Sequence, residues 1–361
     1  MEYLLICAAL LLAFANGAND NFKGFATVWG SDTLSYRQAL LLATIATVAG
    51  SLLSLLLAHG LVQQFSGKGL LPAALVETPQ FIFSSGTGAA LTVIIATRAG
   101  LPISTTHALI GALLGAGLAV SPAEVQFARL WSTFLLPLLF SPIAAAILGL
   151  GAYRLLRLRP EQKDCVCVQV PVPGPVTTGG TSAAVPLAAP LVVLGDNAAC
   201  DQLTAPTARF SLARILDRMH VFSAALICFA RGVNDTPKLA ALLVAAQVVK
   251  VQSSVLLIAV AMAAGGLLLA RRVAETMSQR LNRMDHAQGV AANLITAALV
   301  IMASQLSLPV STTHVSVGSI AGVGASADTL DRNTLLQVLL SWLATMPLAA
   351  MISWVALTMT T

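Results

Sequence analysis

Two short motifs each occur twice in this chain of 361 residues, in the same order both times. The first, Gly-x-Asn-Asp-x-x-Lys, lies at 17–23 and 232–238, and both copies follow a Phe-Ala pair. The second, Leu-Pro-x-Ser-Thr-Thr-His, lies at 101–107 and 308–314. The spacing between copies is nearly the same for both motifs, so the sequence predicts two structurally related halves.

Composition indicates the environment of these halves. Hydrophobic residues make up 57% of the chain and charged residues 10%, whereas a soluble domain has about 25% charged residues. The sequence therefore predicts an all-α polytopic membrane protein. Its long apolar stretches, several of them near the roughly 20 residues that cross a bilayer, lie at 39–57, 81–97, 135–150, 255–269, 290–303 and 335–357.

Four further apolar pieces, at 4–15, 108–120, 221–230 and 239–249, are too short to span alone. The first has a small-x-small pattern at Ala13–Ala15 that is typical of signal-peptide cleavage, but it lacks the positive n-region and its only charge is Glu2. We interpret it as half of a broken first helix.

The net charge of +5 is modest, and the basic residues lie beside spans without interleaved aromatics, which argues against nucleic-acid binding. Positive-inside reasoning assigns their loops to the cytoplasm. These residues are Arg154, Arg157, Arg159, Arg209, Arg214, Arg218, Arg271, Arg272, Arg280 and Arg283.

We predict a first transmembrane repeat at 1–158, a cytoplasmic linker at 159–209 and a second repeat at 210–361. The linker is rich in Pro, Gly, Val, Thr and Ala, and β character at 165–172 and 190–194 suggests a hairpin. Because the cytoplasm is a reducing compartment, no disulfide is expected at Cys165, Cys167 or Cys200 of a cytoplasmic linker.

The Ser-Thr-Thr-His motif predicts an oxyanion site. Proline and hydroxyl residues are favoured where a helix begins, and the first four backbone N–H groups of a helix lack internal partners and attract anions. The hydroxyls add neutral donors, which hold an anion less tightly than a cluster of arginines. The candidate anion-binding residues are Ser104, Thr105, Thr106, Ser311, Thr312 and Thr313.

His107 and His314 follow the hydroxyls at equivalent positions. Three roles are open for them: contact with the anion, proton relay, or locking the helix start by hydrogen bonding. We favour the last of these, a structural packing role, so both residues are supporting candidates.

The Asn-Asp-Lys motif places charges in or beside apolar segments, where they are costly and usually functional. Glycine and asparagine allow the chain to leave helical geometry, and freed carbonyls together with Asn19, Asp20, Asn234 and Asp235 can coordinate sodium. Each lysine follows its aspartate by three residues, so a pair on one helical face is expected. In one interpretation Lys23 and Lys238 only neutralise the aspartates, and in the other they occupy a cation position or attract the anion.

These motifs resemble those of the inorganic phosphate transporter (PiT) family, whose halves each carry Gly-Ala-Asn-Asp and Pro-x-Ser-Thr-Thr-His. The resemblance covers 4–156 and 215–357. It implies a symporter in the plasma membrane with two inverted repeats, broken helices and two re-entrant hairpins that carry 104–107 and 311–314. It also implies phosphate held between the two hydroxyl tips, sodium or proton coupling near the Asn-Asp motifs, no organic cofactor, alternating access and a homodimer.

The chain departs from the usual family pattern in two ways, at three positions. The family has a further Asn where this chain has Lys23 and Lys238, which puts sodium coupling in doubt, and it often has His at Arg231. Sulfate is the alternative substrate. Phosphate can donate its proton to a carboxylate and sulfate cannot, so sulfate stays open if the lysines neutralise the aspartates.

An enzyme is the competing class of function, because Ser and His lie three residues apart. A nucleophile and its base require one asymmetric site, whereas every element here occurs twice, and the chain has no Gly-x-Ser-x-Gly elbow. We therefore predict that the chain is not an enzyme.

Overall fold

The computed structural model describes residues 2–58, 60–67, 69–157, 165–169, 191–195, 208–246, 249–281 and 284–360. Short 3₁₀ turns lie at Lys23–Phe25 and Pro122–Glu124, and π-helical segments at Leu130–Leu135 and Thr276–Leu281. The α-helices are α1 (Glu2–Asp20), α2 (Ala26–Gly30), α3 (Tyr36–Leu57), α4 (Gly60–Phe65), α5 (Ala73–Val76), α6 (Pro79–Arg98), α7 (Thr105–Val120), α8 (Phe127–Arg129), α9 (Leu136–Arg157), α10 (Leu212–Ala245), α11 (Val251–Leu269), α12 (Arg271–Glu275), α13 (His286–Gln305), α14 (Thr312–Ala327) and α15 (Arg332–Thr358).

Among the described residues, seven helical segments are long and apolar enough to cross a bilayer. Six of them contain the six long apolar stretches of the sequence, and the seventh is the N-terminal segment Glu2–Gly30. The prediction of an all-α polytopic membrane protein is confirmed. The short piece 221–230 and residues 239–245 of the short piece 239–249 lie in the single 34-residue helix α10.

The first Asn-Asp motif breaks its helix as expected, but the second does not. Helix α1 ends at Asp20, and the chain resumes through a 3₁₀ turn at Lys23. Helix α10 continues through Gly232–Lys238 with Pro237 in its interior. The expectation of a break in both copies is therefore wrong for the second, where the surrounding packing keeps the helix continuous although Pro237 provides no N–H donor.

Each Ser-Thr-Thr-His motif begins a helix after a tight turn. At Gly100 and Ser307 the chain adopts positive φ angles of 72° and 55°. In both turns the next N–H reaches five residues back, from Leu101 to Ala96 O and from Leu308 to Ala303 O, which is the Schellman pattern that ends a helix. The turns thus end α6 and α13 and lead directly to α7 and α14.

Helices of the two halves pack closely against each other at positions where one of them carries a glycine. A Cβ on Gly17 of α1 would lie 1.9 Å from Met262 O of α11, and one on Gly232 of α10 would lie 2.2 Å from Thr47 O of α3. Both crossings join a helix of one half to a helix of the other. Residues 1–156 and 220–361 accordingly form one compact unit, in which the two predicted repeats lie together.

The second unit, Arg157–Met219, contains an antiparallel sheet where a hairpin was suggested. Strand β1 (Cys165–Gln169) lies between β2 (Leu191–Gly195) and β3 (Ala208–Ser211). Cys167 is disulfide-bonded, so the expectation that it is reduced is wrong. Cys200 and the remainder of the predicted linker lie outside the described residues.

Candidate functional site

The two Ser-Thr-Thr-His tips contact each other at the centre of the larger unit. Thr106 Oγ1 donates to the carbonyl of Val310 (3.4 Å), and Thr313 Oγ1 donates to the carbonyl of Ile103 (2.9 Å). The two bonds are equivalent when the halves are exchanged. The structure therefore brings together the two runs of three predicted hydroxyl residues, which lie far apart in the sequence.

Serine caps both tip helices, as the sequence predicts. The hydroxyl of Ser104 accepts from His107 N (3.1 Å), and that of Ser311 accepts from His314 N (3.3 Å). Both serines are buried. One N–H group of each helix terminus is thus bonded within the protein, and the positive ends of both helix dipoles point into the same region.

Each motif lysine forms the predicted pair with its aspartate and also contacts both tips. Lys23 Nζ donates to Asp20 Oδ1, and Lys238 Nζ lies 3.5 Å from Asp235 Oδ1. Lys23 Nζ also donates to the hydroxyl of Thr313 (2.6 Å), which belongs to the other half. Both expected Asp–Lys pairs are present, but only the second lies within one helix, because the first joins the end of α1 to the 3₁₀ turn that follows it. The lysines additionally link the halves.

The contacts of Lys238 mirror those of Lys23. Lys23 Nζ donates to the carbonyl of Ile103 (2.9 Å), and Lys238 Nζ donates to the carbonyl of Val310 (2.6 Å). Lys238 Nζ also donates to the hydroxyl of Thr106 (3.1 Å). Each ammonium group therefore bridges a carbonyl of its own half and a hydroxyl of the other half.

The motif asparagines connect the tips to the preceding helices. Asn19 Oδ1 accepts from Ile103 N (3.1 Å), and Asn19 Nδ2 donates to Thr97 Oγ1 (2.9 Å) of α6. In the other half Asn234 Nδ2 lies 3.4 Å from Val310 O, and Asn234 Oδ1 accepts from Ser304 Oγ (3.1 Å) of α13. Both asparagines position a tip rather than point into open space.

The sequence analysis did not assign Asn16 a role and noted Arg231 only as a departure from the family pattern, yet both lie at the centre of the site. The Nδ2 atom of Asn16 lies within hydrogen-bond distance of Asp20 (2.9 Å), Thr105 (3.0 Å) and Asp235 (3.3 Å). Its Oδ1 accepts from Arg231 Nη2 (2.8 Å). The two residues immediately precede the glycines of the two motif copies, so their equivalent position was the available signal.

Arg231 and the four motif charges form the buried charged cluster. Arg231 Nε lies 3.6 Å from Asp235 Oδ2, and its Nη1 donates to Asn21 Oδ1 (3.1 Å) and Thr47 Oγ1 (3.3 Å). Among the described residues, the buried Lys, Arg, Asp and Glu side chains are three cations and two anions. The cluster thus carries a formal net charge of +1, which favours an anionic guest.

A small cavity borders this cluster. It has about 10 Å³ of space for the centre of a water-sized sphere, which is about what one water molecule needs and less than a tetrahedral oxyanion needs. The tips must therefore separate before such an ion can enter between them. The lining residues are Asn16, Thr105, Thr106, Leu109, Asp235, Lys238 and Leu239.

The two motif histidines pack against each other behind the tips. The ring centroids of His107 and His314 are 4.5 Å apart in an edge-to-face arrangement, and His314 lies 3.8 Å from the ring of Trp342. Trp342 Nε1 donates to Pro102 O (3.1 Å). These ring contacts favour a packing role for the histidines. The hydrogen bonding expected of that role is not seen, because Nδ1 of both histidines and Nε2 of His314 have no hydrogen-bond partner among the described residues.

The oxygen atoms considered for sodium mostly face ammonium groups. Asn19 Oδ1 and Asp20 Oδ1 accept from Lys23 Nζ, and Asp235 Oδ1 faces Lys238 Nζ. Asn234 Oδ1 accepts from Ser304 instead.

Comparisons with known proteins show what the chain is similar to. A model of the phosphate transporter family matches residues 16–353. A relative from Pyrococcus abyssi whose name includes phosphate permease is 25% identical, with coverage of 97% of this chain and 95% of its own length. Inorganic phosphate transporter 2-1, chloroplastic, of Arabidopsis thaliana is 25% identical over 97% of this chain and 70% of its own.

One solved structure has a similar fold. It is described as the sodium-dependent phosphate transporter and superimposes with a TM-score of 0.78 at 20% sequence identity, covering 99% of this chain and 98% of that one.

Proposed function

The chain belongs to the phosphate transporter family, and we propose that it carries inorganic phosphate across the membrane as an ion-coupled symporter that works by alternating access. Membership of a family of transporters confirms the prediction that it is not an enzyme. The observation that carries the proposal is the meeting of two capped helix N-termini beside a buried cluster of net positive charge.

Phosphate binds between the tips in this proposal, at Ser104–Thr106 and Ser311–Thr313. Helix N-termini supply N–H donors and partial positive charge, and the threonine hydroxyls add donors. Thr312 supports this assignment because the residue is buried and its hydroxyl makes no hydrogen bond with any residue that the structure describes. The hydroxyl is thus available for an anion.

Alternating access follows from the contacts between the halves. The tips are joined by two reciprocal hydroxyl bonds, by the two bridging lysines and by the ring contact between His107 and His314, and the cavity beside them is too small for the ion. Parting the tips toward one side and then the other gives the ion access to each side in turn.

The finer architecture is part of the proposal. We propose two inverted repeats at 1–158 and 210–361 joined by a linker at 159–209, with re-entrant hairpins at the two tips. Equivalent contacts in the two halves support a two-fold relationship. We further propose a homodimer in the plasma membrane, with sodium or protons as the coupling ion.

Sulfate is the second candidate substrate. Both motif aspartates are paired with lysines, which reduces the repulsion that a fully deprotonated anion would meet. Asp235 nevertheless lines the cavity, and a protonated phosphate can donate to it whereas sulfate cannot. This difference favours phosphate.

Uptake by reconstituted protein tests the proposal. Proteoliposomes that contain the full chain are expected to accumulate labelled phosphate faster than protein-free vesicles, with unlabelled phosphate competing more strongly than unlabelled sulfate. Stronger competition by sulfate would assign the site to sulfate, and the absence of uptake of either ion would reject transport.

A further inference from the structure

The ammonium groups of Lys23 and Lys238 each lie in a shell of oxygen atoms of different kinds. Around Lys23 Nζ these are the amide oxygen of Asn19 (2.9 Å), a carboxylate oxygen of Asp20, the carbonyl of Ile103 (2.9 Å) and the hydroxyl of Thr313 (2.6 Å). Secondary transporters coordinate a coupling sodium ion with backbone carbonyls of unwound helix segments, and carboxylate and carbonyl oxygens are the ligands that hard cations prefer.

The shell of Lys238 is similar. It consists of a carboxylate oxygen of Asp235 (3.5 Å), the carbonyl of Val310 (2.6 Å) and the hydroxyl of Thr106 (3.1 Å). The ring of Phe65 lies 5.5 Å from the ammonium on another side, a position that stabilises a cation. Both ammonium groups are buried, so no bulk water completes either shell.

We infer that the two lysine ammonium groups are built-in replacements for coupling sodium ions, so that Lys23 and Lys238 make the transport cycle independent of sodium. This inference rests on the proposed transport function. A bound sodium brings charge to the site and leaves with the anion, whereas an ammonium on a side chain stays. It compensates the anion's charge in every cycle but cannot transmit the energy of a sodium gradient.

The two lysines also hold the two tips together, as bound coupling ions would. Each joins a carbonyl of one half to a hydroxyl of the other, and so draws together the two tips between which the anion is proposed to bind. Because the positive charge is present without a bound ion, the attraction between each ammonium group and the two tips does not depend on the sodium concentration of the medium.

The most direct test measures sodium binding without transport. The melting temperature of the purified full chain is recorded in sodium chloride and in choline chloride at equal ionic strength. The wild type is expected to melt at the same temperature in both. Lys23→Asn combined with Lys238→Asn frees both oxygen shells, and sodium is expected to raise the melting temperature of this variant by about 3 °C or more.

Lys250→Asn is the matched control, because Lys250 is exposed at the start of α11 and its removal opens no oxygen shell. It is expected to behave like the wild type. Sodium-specific stabilisation of the wild type, or an equal response of the double variant to sodium and choline, would overturn the inference.

Transport provides a second readout that does not depend on folding of the variant. Wild-type proteoliposomes are expected to take up labelled phosphate at rates that differ by less than about twofold between sodium and choline media. A wild type that requires sodium would overturn the inference. If neither phosphate nor sulfate enters in any medium, the proposed function fails, and the melting experiment still decides whether the lysines replace sodium.

Discussion

Thr105 and Thr312 occupy the same position in the two tips but have different partners. Thr105 Oγ1 donates to Asp20 Oδ2 (3.1 Å) and accepts from Asn16, while Thr312 has no hydrogen-bond partner among the described residues. We predict that Thr312→Ala lowers the initial rate of phosphate uptake at subsaturating phosphate by about tenfold, the loss of one hydrogen bond to a charged group. Its melting temperature should stay close to that of the wild type.

Thr105→Ala should lower both uptake and melting temperature, because it also removes a partner of buried Asp20. Thr329→Ala, at an exposed threonine beyond the end of α14, is the control and should leave both unchanged. Wild-type uptake by the Thr312 variant would contradict the assignment of the tips as the anion site.

Arg231 is the largest of the fully buried side chains and bonds to both halves. We predict that Arg231→Met lowers the free energy of unfolding by about 3–5 kcal/mol, since it removes the charged donor to the buried oxygens of Asn16, Asn21 and Thr47 and one of the two cationic partners of Asp235. Arg271→Met is the matched change at an exposed arginine paired with Glu275 and should cost about 1 kcal/mol or less. Chemical denaturation of the two purified variants measures the difference, and equal losses would argue against a structural role for Arg231.

At the residue scale, the sequence predicted the hydroxyl tips and the Asp-Lys pairs because both are local patterns. An N-cap depends on the next three residues, and a pair three residues apart depends on one helical turn. The bond between Asn16 and Arg231 could not be predicted in this way, because it joins residues of different halves and depends on how α1 and α10 pack.

At the scale of helices, close glycine crossings hold the halves together. A Cβ on Gly265 of α11 would lie 1.9 Å from Phe14 O of α1, so the two backbones must move apart to accept it. We predict that Gly265→Ala lowers the free energy of unfolding by about 1–3 kcal/mol, the range for overpacking.

Gly151→Ala is the control for this prediction. Nothing lies within 4 Å of a Cβ at Gly151 in α9, so alanine there should be neutral or stabilise the helix by up to about 1 kcal/mol. The same loss of stability in both variants would show that the crossing does not determine the effect.

Hydrophobicity was sufficient to predict the spans, because length and apolar content decide whether a segment can cross a bilayer. Hydrophobicity was not sufficient to predict α10 as one helix, because the charged residues of the second Asn-Asp motif interrupt its apolar sequence. Nor could the break after Asp20 and its absence at Asp235 be distinguished, because the two copies share Gly, Asn, Asp and Lys and differ in their packing partners.

At the scale of the whole molecule, inverted repeats make equivalent positions of the two halves face opposite sides of the membrane. Ser35 and Lys250 are such positions, since each is the exposed N-cap of the first long helix after an Asn-Asp motif. In a chain without its native cysteines, we predict that an impermeant maleimide labels only one of Ser35→Cys and Lys250→Cys in intact cells. Both should react after permeabilisation, and labelling of both from one side would exclude the inverted arrangement.

The repeated motifs predicted two related halves, and the structure adds that these halves interleave. The sequence could not show this, because helix contacts between halves depend on small residues such as Gly50 and Gly232 that occur throughout apolar segments. The sheet of the smaller unit was suggested only as a hairpin, since its third strand, Ala208–Ser211, is four residues long and has little pattern.

The central claim is that the two tips together bind a tetrahedral oxyanion. An experimental structure of the full chain with arsenate, located by its anomalous scattering, tests this claim most directly. We expect one arsenate between Ser104–Thr106 and Ser311–Thr313, within hydrogen-bond distance of Thr312 Oγ1 and with the tips further apart than they are here. Arsenate bound at another place, with the tips still in contact, would contradict the account.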